Sequence, residues 1–304
     1  MKKYLITGGM GFVGTNLIPL FKARENCHIT ILDNMTNPSG DLELTEDIHL
    51  VEGDIRDRDA VNEVVRGKDV VIHLAAHTRV IDSIEDPETN FEINTRGTFN
   101  VLDAMRLHGV ESIVNASTGG AILGEVKPPV NEDIPPQPAA PYGASKLAAE
   151  GYCSAYSQSY GIKAVSLRFS NLYGPYSRNK GSVVAAFIRD ISEKESVTVY
   201  GDGSQTRDYL YVEDLAKGMM QAIESGVSGV FQMGSGTPTT INELLNIFRD
   251  VVDTHFEVEY RDFRAGELKH TYCDISKAKR AFGYQPSTGL SVGIKKTWDW
   301  FRKA

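Results

Sequence analysis

The stretch from Tyr4 to Phe21 leaves this chain few options. Tyr4-Leu5-Ile6 is a short apolar run that stops at Thr7-Gly8-Gly9-Met10-Gly11-Phe12-Val13-Gly14, after which Phe12, Leu17, Ile18 and Phe21 recur at helical spacing. Strand, glycine turn and helix in that order predict the opening of a βαβ unit. Gly9, Gly11 and Gly14 match the G-x-G-x-x-G spacing, in which glycines permit a tight turn and close pyrophosphate approach while the helix start offers free N–H groups. Taken alone the pattern is weak, and its context strengthens it. A second apolar run, His28-Ile29-Thr30-Ile31-Leu32, ends in Asp33, about twenty residues on, where an acid accepts hydrogen bonds from an adenosine ribose. That acid favours NAD over NADP.

The following segments repeat the alternation. Ile48 to Asp54 supplies a third strand ending in an acid, and Asp54 with Ile55 is placed to flank the adenine. Val70 to Ala76 is near-continuously apolar, the mark of a parallel strand covered on both faces, and its small Ala75 and Ala76 let a cofactor approach the backbone. His73 reads as a satisfied core histidine. A helix is predicted from about Glu88 to Leu107, with Asn94 expected to bond backbone across the sheet. Ser112 to Ala116 is a fifth strand running into Ser117-Thr118-Gly119-Gly120, and Ile162 to Phe169 is a sixth. Strands alternating with helices predict a doubly wound parallel α/β sheet over residues 1–170. Residues 171–304 are left as a smaller C-terminal α/β substrate-binding domain, with the chain free to cross back to the sheet.

After the proline-rich loop Lys127 to Pro141, a helix begins that sets Tyr142 and Lys146 at i and i+4, on one face. A free tyrosine, with a pKa of about 10, is a poor base at neutral pH, and a nearby positive charge lowers that value. Such a phenol can exchange a proton with a substrate hydroxyl.

A net charge of -8 and a pI near 5.4 argue against a general polyanion-binding surface, so nucleic acid is not an expected partner. An anionic ligand must meet a local cluster of donors. Cys27, Cys153 and Cys273 are far apart and fit no metal spacing, which predicts a reducing compartment, no disulfide framework and no metal. Met1-Lys2-Lys3 leads into a short strand, without a signal peptide or membrane-spanning run, so a cytoplasmic enzyme is expected.

Taken together, these motifs resemble the extended short-chain dehydrogenase/reductases, specifically the NAD-dependent nucleotide-sugar epimerase/dehydratase group. The glycine loop, Asp33, Gly53-Asp54, His73-Leu74-Ala75-Ala76, Asn94 with Gly97-Thr98, and Tyr142-x-x-x-Lys146 stand in family order along nearly the whole chain. The resemblance implies NAD contacts from Gly8, Gly11, Phe12, Val13 and Gly14, from Asp33, Asn34, Asp54 and Ile55, and from Leu74, Ala75, Ala76, Asn94, Tyr142 and Lys146. It also implies a Ser or Thr before the tyrosine that holds the substrate hydroxyl, here Thr118 or Ser117, with Thr118 favoured. Asn171-Leu172-Tyr173-Gly174-Pro175 and Gln205-Thr206-Arg207-Asp208-Tyr209 resemble the family's nucleotide-diphosphate motifs, giving Asn171 and Arg207 as substrate ligands. Arg264 joins them, although it stands in Arg-Ala-Gly-Glu where the family has Arg-Pro-Gly-Asp.

By the same resemblance, Tyr142 takes a proton from a sugar hydroxyl, usually at C4, as hydride passes to NAD, and Lys146 lowers the tyrosine pKa and bonds the nicotinamide ribose. Dehydratases of the group carry an acidic pair after the Thr, whereas this chain has Gly119 and Gly120. Without that acid the keto sugar can rotate and take the hydride back on its other face. A UDP-sugar 4-epimerase is therefore the leading expectation, with UDP-glucose/UDP-galactose or their N-acetyl relatives as first candidates. Leu123-Gly124, where the family often has Tyr-Gly, alters the sugar pocket. A nucleotide-sugar dehydratase using another acid or thiol is the alternative, and a noncatalytic NAD sensor a third reading. A homodimer through the Glu88 to Leu107 and Tyr142 to Tyr160 helices is also implied.

Overall fold

The computed structural model describes residues 1–24, 26–263 and 269–303. Its first half is β1 (Lys2–Thr7), α1 (Phe12–Arg24), β2 (Cys27–Asp33), β3 (Ile48–Glu52), α2 (Arg58–Val65), β4 (Val70–His73), α3 (Val80–Glu85), α4 (Pro87–Phe91), α5 (Gly97–His108), β5 (Ser112–Thr118), α6 (Pro141–Tyr160) and β6 (Lys163–Phe169). The second half adds β7 (Asn171–Tyr173), α7 (Val183–Lys194), β8 (Ser196–Tyr200), β9 (Thr206–Tyr211), α8 (Val212–Ser225), β10 (Gly229–Met233), β11 (Pro238–Thr240), α9 (Ile241–Val251), β12 (Glu257–Arg261), α10 (Ser276–Phe282) and α11 (Leu290–Phe301).

Seven strands form one parallel sheet in the order β10-β6-β5-β4-β1-β2-β3. The order reverses at β1, which is the doubly wound arrangement, and ligands of such sheets bind beyond the strands' carboxyl ends at that reversal. All four residues of β4 are buried, as expected of a strand covered on both faces. On one face Leu17, Ile18 and Phe21 of α1 and Leu215 and Met219 of α8 pack into the core. On the other, Val61 and Val65 of α2, Val101, Leu102 and Met105 of α5, and Cys153 and Tyr156 of α6 do the same.

Six of the strands fall where alternation predicts them. The seventh, β10, returns from beyond residue 171 to pair with β6, because α8 packs on α1 and carries the chain back to the sheet edge. The segment expected as one helix from Glu88 to Leu107 is broken: a π turn at Glu92–Arg96 separates α4 from α5. Thr98 Oγ1, in the first turn of α5, donates back to Asn94 O of the π turn at 2.6 Å. A Cβ at Gly97 would lie 2.5 Å from Ile55 Cδ1, so glycine here admits the close packing of α5 on the end of β3.

The remaining elements build a smaller unit over the sheet's carboxyl edge. It holds a three-stranded sheet β11-β9-β7 and a two-stranded sheet β12-β8. Phe187, Ile188, Phe248, Ile294, Trp298 and Phe301 from α7, α9 and α11 form its core. Only Ser170 separates β6 from β7, which ties this unit directly to the sheet end.

Candidate active site

Gly8 has φ +68° and donates its N–H to Leu32 O at 2.8 Å, turning the chain over the end of β2. A Cβ there would stand 2.6 Å from Ala75 N, and one at Gly14 would stand 2.3 Å from Gly9 O. Both glycines are steric requirements of the turn. Since the first N–H groups of α1 have no partner within their own helix, the turn presents donors suited to a pyrophosphate.

Asp33 anchors the same turn, its Oδ2 accepting from Met10 N at 2.9 Å and its Oδ1 from Met35 N at 3.0 Å. A carboxylate oxygen accepts two bonds, so each retains capacity for a ribose hydroxyl. Asn34 Nδ2 donates to Asp54 Oδ2 at 3.0 Å, and Arg56 grips Asp54 through Nε and Nη2, each at 2.9 Å. The Arg56 hydrogen bond is the main cause that pulls the Asp54 pKa down to about 2. Ile55 is 4% exposed and packs on Gly97, so its side chain serves the core more than an adenine edge. Leu74 N–H donates to Thr7 O at 3.0 Å and Ala75 N–H to Thr7 Oγ1 at 3.3 Å, which brings the end of β4, and Ala76 after it, against the glycine turn. Glycine turn, Asp33 and the small residues after β4 together fit NAD.

His73 is the satisfied core histidine expected: Nδ1 lies 2.7 Å from Thr7 Oγ1 and Nε2 3.0 Å from Thr98 Oγ1. Burial, with the Lys146 charge adding to it, pushes its pKa down to about 3 and keeps it neutral. Asn94 clamps main chain, its Oδ1 accepting from His77 N at 2.7 Å while Nδ2 donates to His77 O and Ser145 Oγ, both at 3.0 Å. Its amide protons are thus spent on the fold, and none is left for a cofactor.

The Thr118 hydroxyl acts on the Tyr142 phenol, drawing its pKa down. Ser117, one residue earlier on β5 and so on the opposite face, donates instead to Glu150 Oε1 at 2.6 Å. The alternation of a strand thus separates the two candidates, and Thr118 is the one at the phenol. The net shift at that phenol runs opposite to the one expected from Lys146, because burial dominates it. Burial pushes the Tyr142 pKa up to about 12, with the Thr118 hydrogen bond opposing it. Lys146 Nζ donates to Ala116 O at 2.9 Å, and burial pushes the ammonium down to about 8, against the pull of Glu150. The tyrosine helix is itself held by α3, since Tyr142 N–H donates to Ser83 Oγ at 3.1 Å.

On the substrate side, Asn171 pairs in register with Tyr209, which sets Arg207 two positions back on the neighbouring strand. Asn171 Nδ2 donates to Asp208 O at 3.3 Å, and Arg207 Nη1 to Thr206 O at 2.9 Å and Lys269 O at 3.2 Å. Arg264 lies outside the described residues. A cavity of about 300 Å³ opens nearby, lined by Gly201, Asp202, Ser204, Gln205, Phe263 and Lys269.

The NAD dependent epimerase/dehydratase family model matches residues 4–234, which takes in the glycine turn, Thr118, Tyr142 and Lys146. The chain belongs to this family. A putative UDP-glucose 4-epimerase of Methanocaldococcus jannaschii is 38% identical over 303 residues, covering 98% of each chain. The UDP-glucose 4-epimerase of Thermotoga maritima with UDP-glucose superposes with a TM-score of 0.93 at 33% identity, covering 99% of both chains. That of Thermus thermophilus in complex with NAD gives 0.89 at 36% identity, again over 99% of both.

Family motifs did not mark Arg56, Ser83, Glu150 or Arg168. Glu150 alone had a signal, standing four residues beyond Lys146 on the same helix face.

Proposed function

We propose that this enzyme interconverts the C4 epimers of a UDP-sugar, with Thr118 and Tyr142 holding the C4 hydroxyl. The observation that carries this reading is a Thr118 hydroxyl that draws down the Tyr142 pKa, followed by two glycines, Gly119 and Gly120, which offer no second acid. Three groups near the site that a dehydratase could otherwise recruit are occupied. Glu150 is locked in a fork with Arg168, His73 is neutral with both nitrogens bonded, and burial holds the Cys153 thiol up at about 12. The epimerase names of the similar chains agree with the reading.

Tyr142 Oη accepts the C4 hydroxyl proton as the carbonyl forms and returns it to the oxygen after the sugar has turned over. Thr118 Oγ1 orients that hydroxyl and stabilises the phenolate. NAD, when bound, supplies the acceptor for the C4 hydride and a positively charged ring. Such a charge beside Tyr142 counters the burial that raises its pKa. Lys146, by the same reading, bonds the nicotinamide ribose.

The diphosphate is assigned to residues 171–304, with Asn171, Arg207 and Arg264 as its ligands, because planar guanidinium forks suit phosphate oxygens. The cavity beside Lys269 offers room for the nucleotide. Phe91, Leu107, Tyr152 and Tyr160 are each at least 40% exposed, and this apolar surface on α4, α5 and α6 supports a homodimer. Three free, buried cysteines suit a reducing cytoplasm, and among the described residues no helix is long and apolar enough to cross a membrane.

Purified protein mixed with UDP-, dTDP- and GDP-sugars and followed by proton NMR tests the reading. A C4 epimer is expected; a 6-deoxy-4-keto product without any epimer would replace it with the dehydratase.

A further inference from the structure

Tyr142, Lys146 and Glu150 stand at i, i+4 and i+8 of α6, a single row facing the ends of β5 and β6. Lys146 and Glu150 are each 5% exposed. Glu150 Oε1 accepts from Ser117 Oγ at 2.6 Å and from Arg168 Nε at 2.9 Å, while Oε2 accepts from Arg168 Nη2 at 2.8 Å. Ser117 and Arg168 are register partners on adjacent strands, so one carboxylate staples helix, β5 and β6 at a single level. The next residue on β5 is Thr118.

We propose that Glu150 is a positioning residue for the reaction: its carboxylate, held by Arg168 and Ser117, keeps Lys146 charged and fixes the strand tip that brings Thr118 to Tyr142. The argument is one of charge balance in a buried space. Lys146 and Arg168 are cations and Glu150, ion-paired with Arg168 and one helical turn beyond Lys146, is the anion, while His73 on β4 and Cys153 on α6 are held neutral. The set has one positive charge in excess, which favours formation of an anion at Tyr142. Remove Glu150 and two buried cations stand without a counter-charge. Arginine does not give up its proton in proteins, so Lys146 must. Remove Arg168 and the reverse follows, with Glu150 left to hold the ammonium more firmly.

This deepens the epimerase reading and rests on it, but its test observes the amine itself, so a failure of turnover and a failure of this proposal are distinguishable. Protein carrying lysine labelled with ¹³C at Cε is titrated by NMR, the Lys146 signal being assigned by its loss in Lys146→Met. In the unmodified chain burial pushes the Lys146 ammonium down to about 8, and the midpoint is expected there. Glu150→Gln is expected to move that midpoint down by about one pH unit and Arg168→Met to move it up by a similar amount. Glu150→Gln/Arg168→Met returns it towards the starting value. The alkaline limb of kcat follows the amine, giving about tenfold loss above pH 8 in Glu150→Gln, with KM for the sugar nucleotide changed less than about twofold. A purely structural pair predicts lower Tm values and an unmoved Lys146. Midpoints that stay in place in whichever single variant folds, or that move in the same direction in both, overturn the proposal.

Discussion

Thr118→Val removes one hydroxyl while keeping the shape of the side chain, and so isolates the bond to the phenol. Tyr142 is buried with its pKa pushed up to about 12, and Thr118 is the group that opposes the shift. A hydrogen bond to a charged group is worth about 1.5–3 kcal/mol, so its loss, felt mainly when Tyr142 carries charge, lowers kcat by about 10- to 150-fold. Ser117→Ala is the matched comparison. Glu150 Oε1 keeps its bond from Arg168 Nε after that change, so no buried acceptor is orphaned and the cost falls on stability, about 1 kcal/mol. Steady-state kinetics on both variants, with circular dichroism melts to establish folding, give the answer. Thr118→Val is expected to lose at least about tenfold more kcat than Ser117→Ala, the margin set by that bond. Equal losses, or a larger one in Ser117→Ala while both remain folded, would refute the assignment of Thr118.

Gly8→Ala combines positive φ, costing about 1–2 kcal/mol, with a Cβ only 2.6 Å from Ala75 N, so both Tm and NAD affinity by calorimetry should fall. The Asp54 carboxylate has its pKa depressed from 3.8 to about 2, so its pairing contributes stability that is present above the unfolded value and lost as pH falls through about 2. Discounted for its solvent exposure, that contribution is about 1 kcal/mol, and Arg56→Met should lower the urea midpoint at pH 6 yet match the unmodified chain near pH 2. Tyr152→Glu places a charge on the apolar surface of α6, and if the proposed dimer forms through it light scattering should show a lower mass than for the unmodified chain; an unchanged dimer mass would move the interface elsewhere.

Most of the sheet was legible in the chain because each parallel strand is a local signal. Val70 to His73 is apolar at every position but the last, and the glycines after Ile6 mark a turn whose geometry has few other solutions. The acid that closes β2, Asp33, follows for the same local reason. What escaped depends on contacts between distant segments. Nothing between Gly229 and Met233 says that this strand returns to β6, since that pairing is set by α8 docking on α1. The π turn at Glu92–Arg96 keeps the apolar spacing of a helix and is invisible to periodicity. The Tyr-x-x-x-Lys spacing places both side chains on one face, but not the sign of the phenol's shift. That sign is set by burial of the phenol. Between Ser117 and Thr118, β alternation puts the two hydroxyls on opposite faces, and Ser117 is the one that joins the Glu150 carboxylate.

The central claim is that a C4 hydrogen leaves and returns within one active site, with Tyr142 handling only the hydroxyl proton. Proton NMR of the NAD-loaded enzyme with a UDP-hexose in deuterated water tests it directly. The account predicts a C4 epimer that retains protium at C4, and no such product with Tyr142→Phe. Deuterium at C4 of the epimer, a 6-deoxy-4-keto sugar in its place, or ordinary turnover by Tyr142→Phe would contradict it.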